Sequence, residues 1–247
     1  MRREISAALS IFIAGCAQRM PETPAAAATV PNVSAPASGA PSGGVDHVII
    51  AIDSLERGIA QLREKTGVTP VFGGTHPGRG TQNALISLGP GVYLELLAPN
   101  PADSAGPTVV RNFAHMRGLT PSGWAMHTRN ADSLRTFAVS KGLNASDVRA
   151  GSRVKDDGST LAWKTVNPWG VNRWLLPFFI EWSPTSAHPS ATSPTGCTLA
   201  EVALFTFSPD SLKQMLDAVS VKVPVTAAQA DRMSVTLDCP KGRVTLP

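Results

Sequence analysis

The chain has 247 residues, 43% hydrophobic and 16% charged, which suits a folded protein of one or two domains with a sizeable core. Its formal net charge of +4 is spread along the chain, with no run of lysine and arginine and no aromatics interleaved with basic residues. That pattern argues against a nucleic-acid partner.

Arg2 and Arg3 precede an apolar stretch, residues 5–15, that falls short of the roughly 20 residues needed to span a bilayer. It reads as a secretory signal. The stretch ends in Ile13-Ala14-Gly15-Cys16, which resembles the lipobox of bacterial lipoproteins. The resemblance implies cleavage before Cys16 and lipid on its thiol, so residues 1–16 form signal and lipid site. The other reading is an ordinary signal peptide cut further on, with Cys16 incidental. Residues 17–44 are rich in Ala, Pro and Ser and nearly free of large apolar side chains. They cannot bury enough surface to fold, and predict a flexible tether. By resemblance to such lipoproteins, Ala17 in place of an aspartate implies the outer membrane, with the folded part facing the periplasm.

The folded part, residues 45–247, carries the triplet Asp-Ser-Leu three times. The copies begin at Asp53, Asp132 and Asp210, so the intervals are 79 and 78 residues, and each copy follows a strand-like run and opens a helix-like one. This is an internal repeat. Residues 45–52 are β-branched enough for a strand with Val45, His47, Ile49 and Ala51 on one face. Asp53 reads as the N-cap of a helix, with Glu56 completing a capping box and Gly67 ending it. Residues 68–72 suggest a short strand, and the glycines of residues 73–80 predict a loop. Strands over residues 81–88 and 92–98 are joined by the turn Gly89-Pro90-Gly91. The second sets one carboxylate, Glu95, in an apolar run. Residues 100–119 form a connector, with a short helix over 109–116.

The second copy begins with a strand over residues 123–128, a helix from Asp132 to Gly142, and strands over 159–166 and 173–182. Glu181 is its single carboxylate in an apolar run, the counterpart of Glu95. The third copy has a strand over residues 198–207, Pro209 in the first helical turn, and strands over 233–237 and 243–246, a truncated βαββ unit. Module one is then 45–122, module two 123–197 and the partial unit 198–247. Cys197 and Cys239 lie in an exported chain, where a disulfide is permitted. A bridge between them would stabilise by about 4 kcal/mol through loop closure; two buried reduced thiols are the other reading.

Two copies of strand, helix and three strands, with His47 in the first strand and a carboxylate in each final strand, resemble the vicinal oxygen chelate superfamily. Within it, the following stretches resemble the glyoxalase-like domain family: Asp46-His47-Val48, His76-Pro77-Gly78-Arg79-Gly80-Thr81-Gln82-Asn83-Ala84-Leu85, Tyr93-Leu94-Glu95-Leu96, Gly123-Trp124-Ala125 and Leu176-Pro177-Phe178-Phe179-Ile180-Glu181-Trp182. The resemblance implies an α+β fold, with βαβββ modules curling a mixed sheet into a cup and helices outside. It implies metal ligands from first and last strands, His47, Glu95 and Glu181, suited to Zn, Mn, Fe or Ni. Such a metal would polarise vicinal oxygens of a substrate, with Glu95 and Glu181 as the catalytic carboxylates of a lyase or isomerase. His76, Arg79, Thr81 and Asn83 would bind the substrate. Six residues before Asp53 lies His47, but six before Asp132 lies Met126, with His127 one step off and on the other strand face. That loss favours the alternative, a non-catalytic protein binding or sequestering a small oxygen-rich ligand. His188 is assigned a structural role and His115 the surface. Trp163, Trp169, Trp174 and Trp182 are assigned to the core.

Overall fold

In the computed structural model, which describes residues 43–103, 111–155, 158–170 and 174–247, the first strand is the seam on which the chain is built. This strand, β1 (Val45–Ala51), pairs in parallel with β4 (Tyr93–Pro99) and antiparallel with β5 (Thr120–His127). The other strands of the curled sheet are β2 (Val71–His76), β3 (Thr81–Ser87), β6 (Arg149–Val154), β7 (Thr160–Val166) and β8 (Phe178–Trp182). Their order, β2-β3-β4-β1-β5-β8-β7-β6, shows the duplication directly. Each module runs outward from its own first strand, and the modules meet where β1 and β5 pair. The α+β fold of repeated βαβββ modules stands. Cys16, the signal and nearly all of the tether lie outside the described residues.

Strand side chains alternate between faces, and here the two faces have different tasks. Val48, Ile50, Leu94, Leu96, Ala84 and Ile86 are fully buried in the core with Leu62 of α1 (Leu55–Thr66) and Leu134 of α2 (Ala131–Ser140). Each such side chain contributes roughly 1.5–3 kcal/mol relative to an exposed one. Trp124 is also fully buried, its indole N–H donating to the Leu175 carbonyl at 2.9 Å. The residues between these on the same strands line a cup.

The helix starts depart from the sequence reading. Ser54, not Asp53, is the N-cap of α1, its side chain accepting from the Arg57 N–H at 3.4 Å, while Asp53 pairs with the Arg57 guanidinium. Asn130 caps α2, accepting from the Ser133 N–H at 2.7 Å. The triplet therefore straddles the start of α1 but lies inside the first turn of α2. Its leucine is constant because it is buried in every copy, Leu55, Leu134 and Leu212 alike. The cap falls instead on whichever side-chain oxygen reaches a free N–H. Counted from the caps, the residue of module two matching His47 is Gly123, seven before Asn130 as His47 is seven before Ser54, and not Met126.

Two further differences follow from backbone chemistry. The glycine-rich stretch expected as a loop is strand in its first half and turn in its second: β2 runs through Gly73 and Gly74 to His76 and pairs antiparallel with β3, with a register shift between Phe72 and Gly74, and residues 77–80 form the turn. A Cβ on Gly73 would crowd Asn83 Oδ1 and Leu85, so glycine there permits close strand approach. Strand β6 was not expected, because an edge strand exposed along most of its length needs no apolar alternation. The region expected as a helix over 109–116 and the start of the strand from residue 173 fall partly outside the described residues.

A four-stranded sheet, β10-β9-β11-β12, forms the third unit. Between module two and this unit sits a one-turn helix, α3 (Pro189–Thr192). The unit comprises β9 (Thr198–Thr206), α4 (Pro209–Ala218), the short β10 (Val225–Ala227), β11 (Arg232–Cys239) and β12 (Gly242–Leu246). It thus holds one more strand than the expected βαββ. Cys197 and Cys239 form a disulfide, and the two-thiol reading drops.

Candidate functional site

The concave face of the sheet encloses a cavity of about 470 Å³. Alternation selects its lining: His47 and Ile49 from β1, Asn83 and Leu85 from β3, Tyr93, Glu95 and Leu97 from β4, and Phe178, Ile180 and Trp182 from β8. Gly123 of β5 adds no side chain, and a Cβ there would meet Ile49 at 3.6 Å. The sheet therefore offers a polar end, around His47, His76 and Glu95, and an apolar and aromatic remainder.

His47 is 3% exposed, stacks on Tyr93 with ring centroids 4.6 Å apart, and meets the edge of Phe178 at 5.4 Å. Its Nδ1 lies 2.7 Å from Asp46 Oδ1. A carboxylate only accepts, so Nδ1 carries a proton and donates, and Nε2 is the nitrogen turned to the cup, an acceptor in the neutral ring. Asp46 itself is fully buried. Its Oδ2 accepts from Trp182 Nε1 at 2.9 Å and from His188 Nε2 at 3.3 Å, and lies 3.5 Å from His127 Nδ1. Burial alone would raise the Asp46 carboxyl, but hydrogen bonds from His127, His188 and His47 outweigh it and hold its pKa well below the usual carboxylate range. Asp46 is the residue that sequence reasoning missed. A carboxylate near the start of an apolar strand and next to a histidine was the available signal.

On the neighbouring strand β4, Glu95 Oε1 accepts from Asn83 Nδ2 at 2.7 Å, and His47 Nε2 stands 4.0 Å from Glu95 Oε2. His76 Nε2 lies 3.6 Å from Glu95 Oε1, and its Nδ1 is 2.8 Å from Thr81 Oγ1. Burial pushes the His76 pKa below its ordinary value; Glu95 opposes this, while Arg153 and Arg79 add to it. The structure thus brings together His47, Glu95, His76, Thr81, Asn83 and Arg79, all in the cup.

Glu181 is not with them. On β8, Phe178, Ile180 and Trp182 face the cup, so Glu181 has the opposite parity and points to the helix side. Its Oε2 accepts the Ala131 N–H at 2.8 Å, at the start of α2. A carboxylate there complements the helix dipole and satisfies a free N–H. Replacing Glu181 with alanine should cost about 1 kcal/mol by loss of that cap, read as a lower urea midpoint, with no change in what the cup binds. The expected donor set of His47, Glu95 and Glu181 therefore does not converge, and Glu95 already accepts from Asn83. Among the described residues no group of three His, Cys, Asp or Glu is placed to hold a metal ion. Zn, Mn, Fe or Ni held by that set does not fit this chain, and Glu181 is withdrawn as a catalytic residue.

The remaining assignments divide. Met126 is buried in the core and His127 lies beside Asp46, neither lining the cup. His188 belongs to the Asp46 network, and His115 is exposed. Of the tryptophans placed in the core, only Trp169 is there, donating to the Pro177 carbonyl at 2.9 Å. Trp163 and Trp182 line the cup with ring centroids 5.8 Å apart, and Trp174 is exposed.

A sequence profile of the glyoxalase-like domain matches residues 45–220. Among solved structures, one of a hypothetical protein from Staphylococcus aureus aligns over 77% of this chain and 88% of that one, with 14% identity and a TM-score of 0.59. Methylmalonyl-CoA epimerase from Mycobacterium tuberculosis aligns over 61% of this chain and 93% of its own, with 22% identity and a TM-score of 0.40. A hypothetical protein from Bacillus halodurans aligns over 59% of this chain and 99% of its own, at 18% identity and a TM-score of 0.39. The first of these, at 14% identity, speaks to the fold alone. No protein of curated function matches.

Proposed function

The chain belongs to the glyoxalase-like domain family of the vicinal oxygen chelate fold, and from that premise we propose that its cup receives a small oxygen-rich organic ligand. The observation that carries this reading is the clustering of polar groups at one end of an otherwise apolar cavity, with His47 Nε2 4.0 Å and His76 Nε2 3.6 Å from the Glu95 carboxylate. A concave, mostly apolar site with a few convergent polar groups is the usual form of a ligand pocket. Binding without chemistry is the reading favoured here, because the metal-dependent lyase or isomerase needs Glu181 in the cup. A thermal-shift screen of hydroxy and keto acids, catechols and lactones tests it. Hits should raise the melting temperature of the wild type and lose most of that shift in Glu95→Gln; hits insensitive to that change would count against the cup.

A second reading is favoured by the Asp46–His47 pair. A carboxylate that fixes the tautomer of a histidine whose other nitrogen faces a cavity is the arrangement of a general base. His47 Nε2 would take a proton from a carbon next to a carbonyl of the ligand, an isomerase-type step. Incubating any hit in D2O tests this, since exchange dependent on His47 would support chemistry and its absence would leave binding alone.

We also place the protein in the cell envelope, lipid-anchored through Cys16 and facing the periplasm. The support is the lipobox-like sequence and the tether composition. Among the described residues no helix is long and apolar enough to cross a membrane. Labelling of the wild type, but not Cys16→Ser, with a radioactive fatty acid is the expected result; an unlabelled wild type would remove the anchor.

A further inference from the structure

The eight-stranded sheet is open, and its two edges are β2 and β6. Residues of both edges line the one cavity, and a single side chain spans between them. Arg153, on β6, reaches β2: a Cβ built on Gly74 would overlap the Arg153 guanidinium. Gly74 has φ +138°, a conformation that side chains other than glycine's rarely permit, and it lies at the register shift between β2 and β3. The glycine at this position both bends the edge strand and leaves the space that Arg153 fills.

The guanidinium is incompletely satisfied there. Arg153 Nη1 is buried without a hydrogen-bond partner, and across the same wall Asn83 Oδ1 is also buried and unpartnered. Native proteins rarely leave such groups unpaired, because a buried donor or acceptor without a partner keeps its full desolvation penalty. A guanidinium offers planar, paired donors that match a carboxylate in a bidentate fork. The charges lining the cup point the same way: Arg79 and Arg153 are positive and only Glu95 is negative, leaving one formal positive charge. Behind these groups stand Leu85, Leu97, Leu161, Ile180, Trp163 and Trp182.

We propose that Arg153, bridging the two sheet edges, is an anion-anchoring residue, and that the ligand of the cup is an organic monocarboxylate with an apolar or aromatic body. This rests on the reading of the cup as a ligand site and gives that ligand its chemical class. The carboxylate takes the free Arg153 donor with Arg79 near, and the body lies along the leucines and the Trp163–Trp182 pair. Gly74 is a specificity residue at one remove, since any side chain there moves the guanidinium.

The test is calorimetric titration with aryl and alkyl monocarboxylates, each beside its own carboxamide, on the wild type and on Arg153→Met, Arg153→Lys and Gly74→Ala. Melting curves establish that each variant folds. Carboxylates should bind the wild type about tenfold or more tighter than their amides, a difference expected of a hydrogen bond to a charged group. Arg153→Met should remove that preference, weakening the carboxylates far more than the amides, with Arg153→Lys restoring part of it and Gly74→Ala behaving like the methionine variant. Equal binding of acid and amide by the wild type, or a preference surviving in Arg153→Met, would overturn the anion site while leaving the ligand cup intact. Absence of binding by both series at millimolar concentration would overturn both.

Discussion

Asp46→Ala should lower the free energy of unfolding by about 3 kcal/mol, because breaking a buried charged network strands its remaining members without partners. The residue is fully buried, and its two oxygens hold His47 Nδ1 at 2.7 Å and Trp182 Nε1 at 2.9 Å, with His188 Nε2 at 3.3 Å. The loss is more than stability. Without the carboxylate, His47 is no longer held to the Nδ1–H tautomer and Trp182 is released from the cup wall, so binding in the cup should weaken together with the melting temperature. The pH dependence has a definite sign. The folded-state pKa of Asp46 lies below its ordinary value of 3.8. The folded state therefore favours the ionised form, and its contribution is complete above that value and lost as the pH falls beneath it. Acid unfolding of the wild type should show this loss, and Asp46→Asn should flatten it. Equal acid sensitivity in both proteins would show that Asp46 is not the group responsible.

Removing the Cys197–Cys239 disulfide should cost about as much by a different route. The bridge joins residues 42 apart in sequence, and closing a loop of that length in the unfolded chain accounts for about 4 kcal/mol. It ties the start of β9 to the end of β11, which pair antiparallel within the smaller sheet. The double variant Cys197→Ala/Cys239→Ala, or the wild type under reductant, should unfold at a clearly lower urea concentration. Ligand affinity should hold in conditions where both remain folded, because neither cysteine lines the cup. An unchanged midpoint on reduction would mean that the bridge contributes nothing in solution.

The modules were legible in the sequence because burial enforces them. The leucine of each Asp-Ser-Leu triplet is pinned under its helix, and that is why the repeat survives at near-equal spacing. The same triplet misled where finer register was asked of it. Leu55 begins α1, whereas Leu134 lies further into α2, whose N-cap is Asn130. A strand side chain changes face with each residue, and a marker displaced by a few positions no longer tells which residue faces the cup. Glu181 failed for a related reason. An isolated carboxylate in an apolar strand needs a partner, but the partner was the Ala131 N–H at the head of a helix rather than a cation. Glu95, set among similar neighbours, does face the cup. Asp46 carried only a weak local signal, its place beside His47 at the start of an apolar strand, and Arg153 carried none. Asp46 draws its meaning from Trp182 and His188, more than a hundred residues away, and Arg153 from a glycine on the opposite edge of the sheet.

The central claim, that the cup between the two modules is where this protein meets its ligand, is tested most directly by amide chemical-shift mapping during titration with a hit from the screen. The account predicts shifts concentrated in the strands of the curled sheet that line the cup, strongest around His47, Asn83, Glu95, Trp163 and Trp182, with the amide of Ala131 and the β9–β12 sheet unmoved. Shifts centred instead on Glu181 and the start of α2, or on the smaller sheet, would contradict it.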